Sequence, residues 1–313
     1  MHSLLESPQP KLARLEYGLS SADRQARWTK WRKDGYDGIE ANIFGGSDGP
    51  TWPMGQAHTL DFLADFPGLK AASVIVSDLS SLEPLSRVAD SLESLSIGGW
   101  NEPSKLSCEP LAQCRKLRSL SLTRLPKDLE AIETLTSLEQ LSLLGFTFKS
   151  LEVLRPLKNL ERLWIGYGSV PDIGPIGELP KLKALELMHI RKLQDLSPLS
   201  RVKSMQFLAV ADMKQVVAMP DCSQLKSLRR VYLDTMNGIA DLSGLVKAPS
   251  LEELIVVESK IEACVFDPIV AYPKLKRVTV GLTSRKAEAE VDAKLGKRAI
   301  SVFGTKDEKI VLR

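Results

Sequence analysis

Histidine and cysteine are scarce in this chain, with 3 and 4 copies in 313 residues, and their scarcity narrows the chemistry available to it. No two cysteines stand at the close Cys-x-x-Cys spacing of a zinc or redox motif, so no metal and no cofactor is expected. No apolar run approaches the roughly 20 residues of a membrane-spanning helix. The segment Met1 to Pro10 lacks the basic start and sustained apolar stretch of a signal peptide, so a cytoplasmic location is expected. Charge of one sign is also in short supply. The 42 Lys and Arg against 39 Asp and Glu leave a net charge of only +3, which gives no reason to expect a nucleic-acid partner.

What the chain has is recurrence. An apolar residue followed three and five positions later by two more, as in Leu138-Glu-Gln-Leu141-Ser-Leu143, occurs with first residues Leu69, Leu92, Leu117, Leu138, Leu160, Leu182, Met205, Leu228, Leu251 and Leu275. The steps between them are 23, 25, 21, 22, 22, 23, 23, 23 and 24 residues. A period in this range marks a solenoid, in which each unit stacks on its neighbours because it cannot bury its apolar face alone. The repeat array adds length without adding domains, so a single elongated domain with caps, present as a monomer, is expected.

The residues that carry the pattern resemble the leucine-rich repeat family over about residues 60 to 283, and within it the short, internalin-like class. Leu143 is followed by Phe148, Leu151, Leu154 and Leu157, and Ile165 by Val170, Ile173, Ile176 and Leu179. The resemblance implies an α/β solenoid, a leucine-rich repeat horseshoe with a parallel β-sheet on its concave side, short 3₁₀ turns on its convex side and capping elements at both ends. It also implies a bacterial protein-recognition scaffold. One departure is plain: the family's turn asparagine is missing, and Phe146, Gly168, Ile190, Met213, Met236 and Ser259 are among its replacements. Irregular turns are therefore expected, because buried backbone groups need partners from elsewhere.

The expected organisation is an N-terminal cap over residues 1–66, repeats over 67–283 and a C-terminal cap over 284–313. The first cap holds a helix at Ala22–Lys33, a strand around Gly38–Phe44, a cap loop at Gly45–Gly49 and a helix near Leu60–Phe66. Trp28 and Trp31 share one helix face and are expected to pack inward. The second holds a helix at Arg285–Leu295 and small strands at Ile300–Phe303 and Lys309–Leu312. Repeated prolines, Pro84, Pro110, Pro175 and Pro198, stand just before core positions and exclude long crossover helices. Aligned with the repeats, Cys108, Cys114, Cys222 and Cys264 all fall at or near apolar positions, so four buried, reduced thiols are expected.

Function is sought where the repeat leaves the residue type free. Side chains between the leucines point to the concave face. There the early strands present a bland strip: Ser94, Ser96 and Gly98, then Ser119, Ser121 and Thr123, then Gln140, Ser142 and Leu144. Later strands present Arg162, Trp164 and Tyr167, then Glu186, Met188 and His189, then Phe207 and Asp212, then Arg230, Tyr232 and Asp234. Aromatic residues and arginine at this density on adjacent strands predict an exposed protein-binding patch, with Glu186, Asp212 and Asp234 supplying complementary charge. The expected protein is thus a non-catalytic scaffold for a protein partner, in particular an inhibitor or immunity protein against a toxin. The alternatives are a host-directed effector or adhesin-like module and, more remotely, a hydrolase using His189 with Glu186 or Asp212.

Overall fold

Alternation of apolar and polar side chains suits a strand with one buried face, and in the computed structural model each of the repeat blocks forms one, from β3 to β12 in the numbering below. The structure describes residues 10–42, 52–53, 57–76, 78–98, 106–124 and 127–300. They fall into two compact units, one within Ser7–Phe146 and one within Thr147–Arg313. The predicted loop at Gly45–Gly49 and the predicted strand at Lys309–Leu312 lie outside the described residues.

The first unit contains β1 (Leu12–Arg14), α1 (Ser21–Lys33), β2 (Gly38–Asn42), β3 (Ala71–Ile75), β4 (Ser94–Gly98), β5 (Ser119–Thr123) and β6 (Gln140–Leu144). Its strands pair in chain order, parallel and in register, so that Leu95, Leu120 and Leu141 stack in one buried row. The second unit contains β7 (Arg162–Gly166), β8 (Ala184–Met188), β9 (Phe207–Ala211), β10 (Arg230–Asp234), β11 (Glu253–Ser259), α2 (Asp267–Val270), β12 (Arg277–Leu282), α3 (Arg285–Leu295) and β13 (Ala299–Ile300). They too pair in chain order and in parallel, with a register shift in β11 between Val257 and Ser259.

The return segments are 3₁₀ turns, as the prolines require. Proline at the first or second turn position has no amide to offer and is tolerated there, at Pro84, Pro110, Pro175 and Pro198. A three-residue period then points residues i and i+3 inward. Leu82 and Leu85, Cys108 and Leu111, Ile173 and Ile176, and Leu196 and Leu199 are such pairs, each buried and each joined by a backbone bond of 2.9–3.0 Å. The same period corrects the cysteine expectation. Cys108, Cys114 and Cys222 are buried, and desolvation pushes their thiols up to about 12, 11 and 12. Cys264 is exposed, because Ala263 and Phe266 take the inward i and i+3 positions of its turn.

Turns after the strands are more regular than the missing asparagine predicts. In the second unit the first residue past β7, β8, β9 and β10 takes a left-handed backbone: Tyr167 (φ 56°), His189 (φ 47°), Asp212 (φ 50°) and Thr235 (φ 52°). Each still donates its amide to the next strand, to Met188, Ala211, Asp234 and Val257 at 2.9–3.0 Å. The chain therefore turns without leaving those groups unpaired. At the asparagine position Ile190, Met213 and Met236 bury apolar side chains instead. Ser259 supplies a buried polar group there: its hydroxyl accepts from the Met236 amide at 2.9 Å and donates to the Val257 carbonyl at 2.8 Å.

Within each unit the residues just before the repeat strands alternate in charge, except for Gln206 before β9. In the first unit Lys70 lies 3.6 Å from Glu93 and Arg118 lies 2.5 Å from Glu139. In the second, Glu161 pairs with Lys183 at 2.9 Å, and Glu252 with Arg229 at 3.9 Å and Lys276 at 3.3 Å. Exposed pairs contribute about 0–1 kcal/mol each, so their larger effect is on which strand sits beside which.

Terminal elements cover apolar ends. In α1, Trp28 is buried, meets Phe66 edge-on at 5.5 Å and donates its indole N–H to the Pro67 carbonyl at 3.0 Å. Asp65 receives hydrogen bonds from Ser21 and from Arg24, the latter at 2.6 Å. Burial pushes the Asp65 carboxyl up, but Ser21 and Arg24 together outweigh it and hold the group below its ordinary value. At the other end α3 buries Ala287, Val291 and Leu295, and Arg298 donates to the carbonyls of Val270 and Tyr272 at 2.6 and 2.7 Å at the end of α2. A depressed folded-state pKa stabilises the protein above the unfolded value and loses that contribution as pH falls through the folded one. We predict that Asp65→Asn lowers stability by about 1–3 kcal/mol at neutral pH and flattens the acid limb of stability against pH, measured by urea unfolding between neutral pH and pH ~2.

Candidate functional site

In the second unit, the sheet face turned away from the leucine core carries three columns. Arg162, Ala184, Phe207, Arg230 and Glu253 stand side by side in the first, and Trp164, Glu186, Ala209, Tyr232 and Ile255 in the second. The third holds Gly166, Met188, Ala211, Asp234 and Val257. Parallel in-register pairing thus brings the predicted strand residues onto one face. It does not leave them all exposed.

Phe207 is 1% exposed, Glu186 2% and Asp234 7%, which corrects the prediction that they form an open patch. The cause is residue size. Ala184 and Ala209 leave room beside Phe207, the three form a buried cluster, and the Tyr232 ring packs against it. Phe207 is therefore part of a second, smaller core. Asp234 is occupied as well, accepting from the Tyr232 hydroxyl at 3.2 Å and the Thr235 hydroxyl at 2.7 Å. Arg230 is ion-paired with Glu253, which also lies 3.2 Å from Arg277. Glu253 is a buried acid that the sequence reading passed over, and its signal was its place in register between two arginines. Met188, Trp164, Arg162 and Tyr232 are half-buried. The Trp164 indole nitrogen and Nη1 of Arg162 are buried without a hydrogen-bond partner, an unfavourable state for two donors on one strand.

The exposed members are the ones at the strand exits. Tyr167 is 48% exposed, and the side chains of His189 and Asp212 are 50% and 53% exposed. They sit at equivalent positions of successive repeats and touch in sequence: the Tyr167 and His189 rings stack at 6.0 Å with 29° between planes, and His189 Nδ1 lies 2.5 Å from Asp212 Oδ2. A left-handed backbone costs a non-glycine residue about 1–2 kcal/mol, yet this row holds tyrosine, histidine, aspartate and threonine. The equivalent position after β6 in the first unit is Gly145, at φ 81°, so glycine is compatible with the turn. Displayed side chains in strained backbone are a recurrent feature of functional surfaces.

The row is open, and His189 with Asp212 stands at its edge, whereas Glu186 lies within the buried part of the sheet face. Among the described residues, no group of three or more His, Cys, Asp or Glu is placed to hold a metal ion, and no helix is long and apolar enough to cross a membrane.

This is the fold of leucine-rich repeat proteins of the short, internalin-like class. An internalin, InlF of Listeria monocytogenes strain 4b F2365, superposes with a TM-score of 0.58 at 22% identity, covering 79% of this chain and 71% of that one. TLR13, solved in a complex with ssRNA13, superposes with a TM-score of 0.56 at 16% identity; the match covers 93% of this chain but only 40% of TLR13. No family model and no curated relative matches the sequence.

Core and displayed positions on the same sheet face respond differently to truncation. Phe207→Ala is expected to cost about 3–5 kcal/mol of stability. Tyr167→Gly should change it by no more than about 1 kcal/mol in either direction, because relief of the left-handed backbone offsets the lost ring stack. Chemical denaturation of the two variants against the parent measures both.

Proposed function

We propose that the protein is a non-catalytic recognition scaffold that holds a protein partner against the Tyr167–His189–Asp212 row and the half-buried Trp164 and Tyr232 on the adjoining strands. The observation that carries this reading is the row itself: three displayed side chains, pre-ordered by a ring stack and a hydrogen bond, at backbone positions where glycine is the less strained choice. Aromatic rings held in place lose little entropy on binding and are over-represented among residues that dominate interface energy. The two unpartnered donors of Arg162 and Trp164 support it, since an acceptor from a partner would satisfy them. So does the fold, given the recognition role that resemblance to leucine-rich repeat proteins implies.

Within this class the form we favour is an inhibitor or immunity protein acting on a toxin, as a monomer in the cytoplasm, a role that needs recognition and no chemistry of its own. An effector or adhesin-like module is the alternative, and the identity of the captured partner decides between them. The test is affinity capture from the native organism with the parent chain and with the Tyr167→Ala/His189→Ala double variant. Truncation of central interface residues costs about 2 kcal/mol or more, so the double variant should lose the partner while unfolding like the parent. Full retention of the partner by the double variant would contradict the assignment.

A further inference from the structure

Beyond the displayed row lies a second one, which the leucine-spaced reading did not reach. Two positions past the left-handed residues His189, Asp212, Thr235 and Glu258 stand Arg191, Lys214, Asn237 and Lys260, all exposed, with Lys192 exposed next to the first. The intervening Ile190, Met213, Met236 and Ser259 point inward, so the two rows run side by side along the exit edge of the sheet. At about 4.8 Å per strand, Arg191 and Lys260 are roughly 15 Å apart. Among the described residues, the side chains of Arg191, Lys192, Lys214 and Lys260 take part in no ion pair and no hydrogen bond.

The strand-entry row of the same unit is different, since Lys183, Arg229 and Lys276 each face a glutamate. Nor do nearby acids neutralise the exit edge. Asp195 and Asp241 accept from the amides of Ser197 and Ser243 at 2.7 Å, closing their own turns, and Asp212 is held by His189. The exit edge is thus a stacked aromatic pair bordered by cations that no acid of the unit pairs, and an interface centre of rings with a charged rim is the arrangement that binds and steers a partner of opposite sign.

We propose that this edge receives an acidic segment of polypeptide, with Tyr167 and His189 as the apolar anchor and Arg191, Lys214 and Lys260 facing its carboxylates. The inference rests on the recognition reading above and adds the chemistry of the partner. A protein fits better than a nucleic acid: the net charge of +3 gives a weak long-range field, and Asp212 and the exposed Glu258 within the first row would repel a continuous phosphate backbone while fitting between discrete side-chain carboxylates.

The test uses the full chain and a fluorescent, end-capped oligo-glutamate peptide as probe, with a single-stranded oligonucleotide of equal charge as the competing class. Two triple variants carry the same change in net charge: Arg191→Glu/Lys214→Glu/Lys260→Glu at the exit edge, and Lys203→Glu/Lys226→Glu/Lys274→Glu at exposed turn positions elsewhere in the unit. The proposal expects the peptide to bind in a salt-sensitive manner and the exit-edge variant to weaken it about tenfold, equivalent to about 1.4 kcal/mol. The other variant should stay within about twofold of the parent. Equal loss in both variants, absence of peptide binding, or tighter binding of the oligonucleotide would overturn it. With a captured protein partner in hand, dependence on Tyr167 and His189 without dependence on the three cations overturns the acidic-segment inference and leaves the recognition reading standing.

Discussion

The backbone hydrogen bond from each strand-exit residue to the next strand is the contact on which the rest of this structure depends. Parallel strands that repeat every 21 to 25 residues must each turn sharply at their ends, and every turn threatens to strand amides away from water. In the second unit the chain meets this by placing the exit residue in a left-handed backbone, so that its amide extends the ladder for one more bond. Register, turn and display follow together. The next residue is driven inward, where Ile190, Met213 and Met236 fill space, and the exit side chain is driven outward.

Such a geometry divides one sheet face into two kinds of surface. Where small residues neighbour a large one, as Ala184 and Ala209 neighbour Phe207, the face closes on itself and buries even charged groups, with Glu253 balanced between Arg230 and Arg277. At the strand exits no neighbouring side chain can fold over, so Tyr167, His189 and Asp212 remain in solvent and are held by one another. The proposed recognition role therefore falls to the edge of the sheet, with the packed face behind it as its support.

Much of this was legible in the residues themselves. Leucine spacing gave the strand positions and the prolines gave the 3₁₀ turns, because both depend on periodicity and local sterics alone, while the parallel order came from the resemblance to leucine-rich repeat proteins. Helices at α1 and α3 were readable from capping residues and apolar spacing. What the spacing could not show was which residues between the leucines would be covered. Burial of Phe207 depends on the small size of Ala184, which is 23 residues away in sequence and adjacent only once register is known. Cys264 was misassigned for a related reason: a one-residue shift within a 3₁₀ turn exchanges inward and outward positions. The turns were expected to be irregular because an asparagine was missing, whereas left-handed exits and one serine met the same need. Histidine, aspartate and even tyrosine at φ > 0 carry no strong sequence signature.

Hydroxyl-radical footprinting of the free chain tests this division of the sheet face most directly, since tyrosine, histidine and phenylalanine are all oxidisable. Rapid oxidation of Tyr167 and His189 with Phe207 left intact is the predicted result. Oxidation of Phe207 at the rate of Tyr167 would contradict it, because the face would then be open throughout and the exit row would have no special standing.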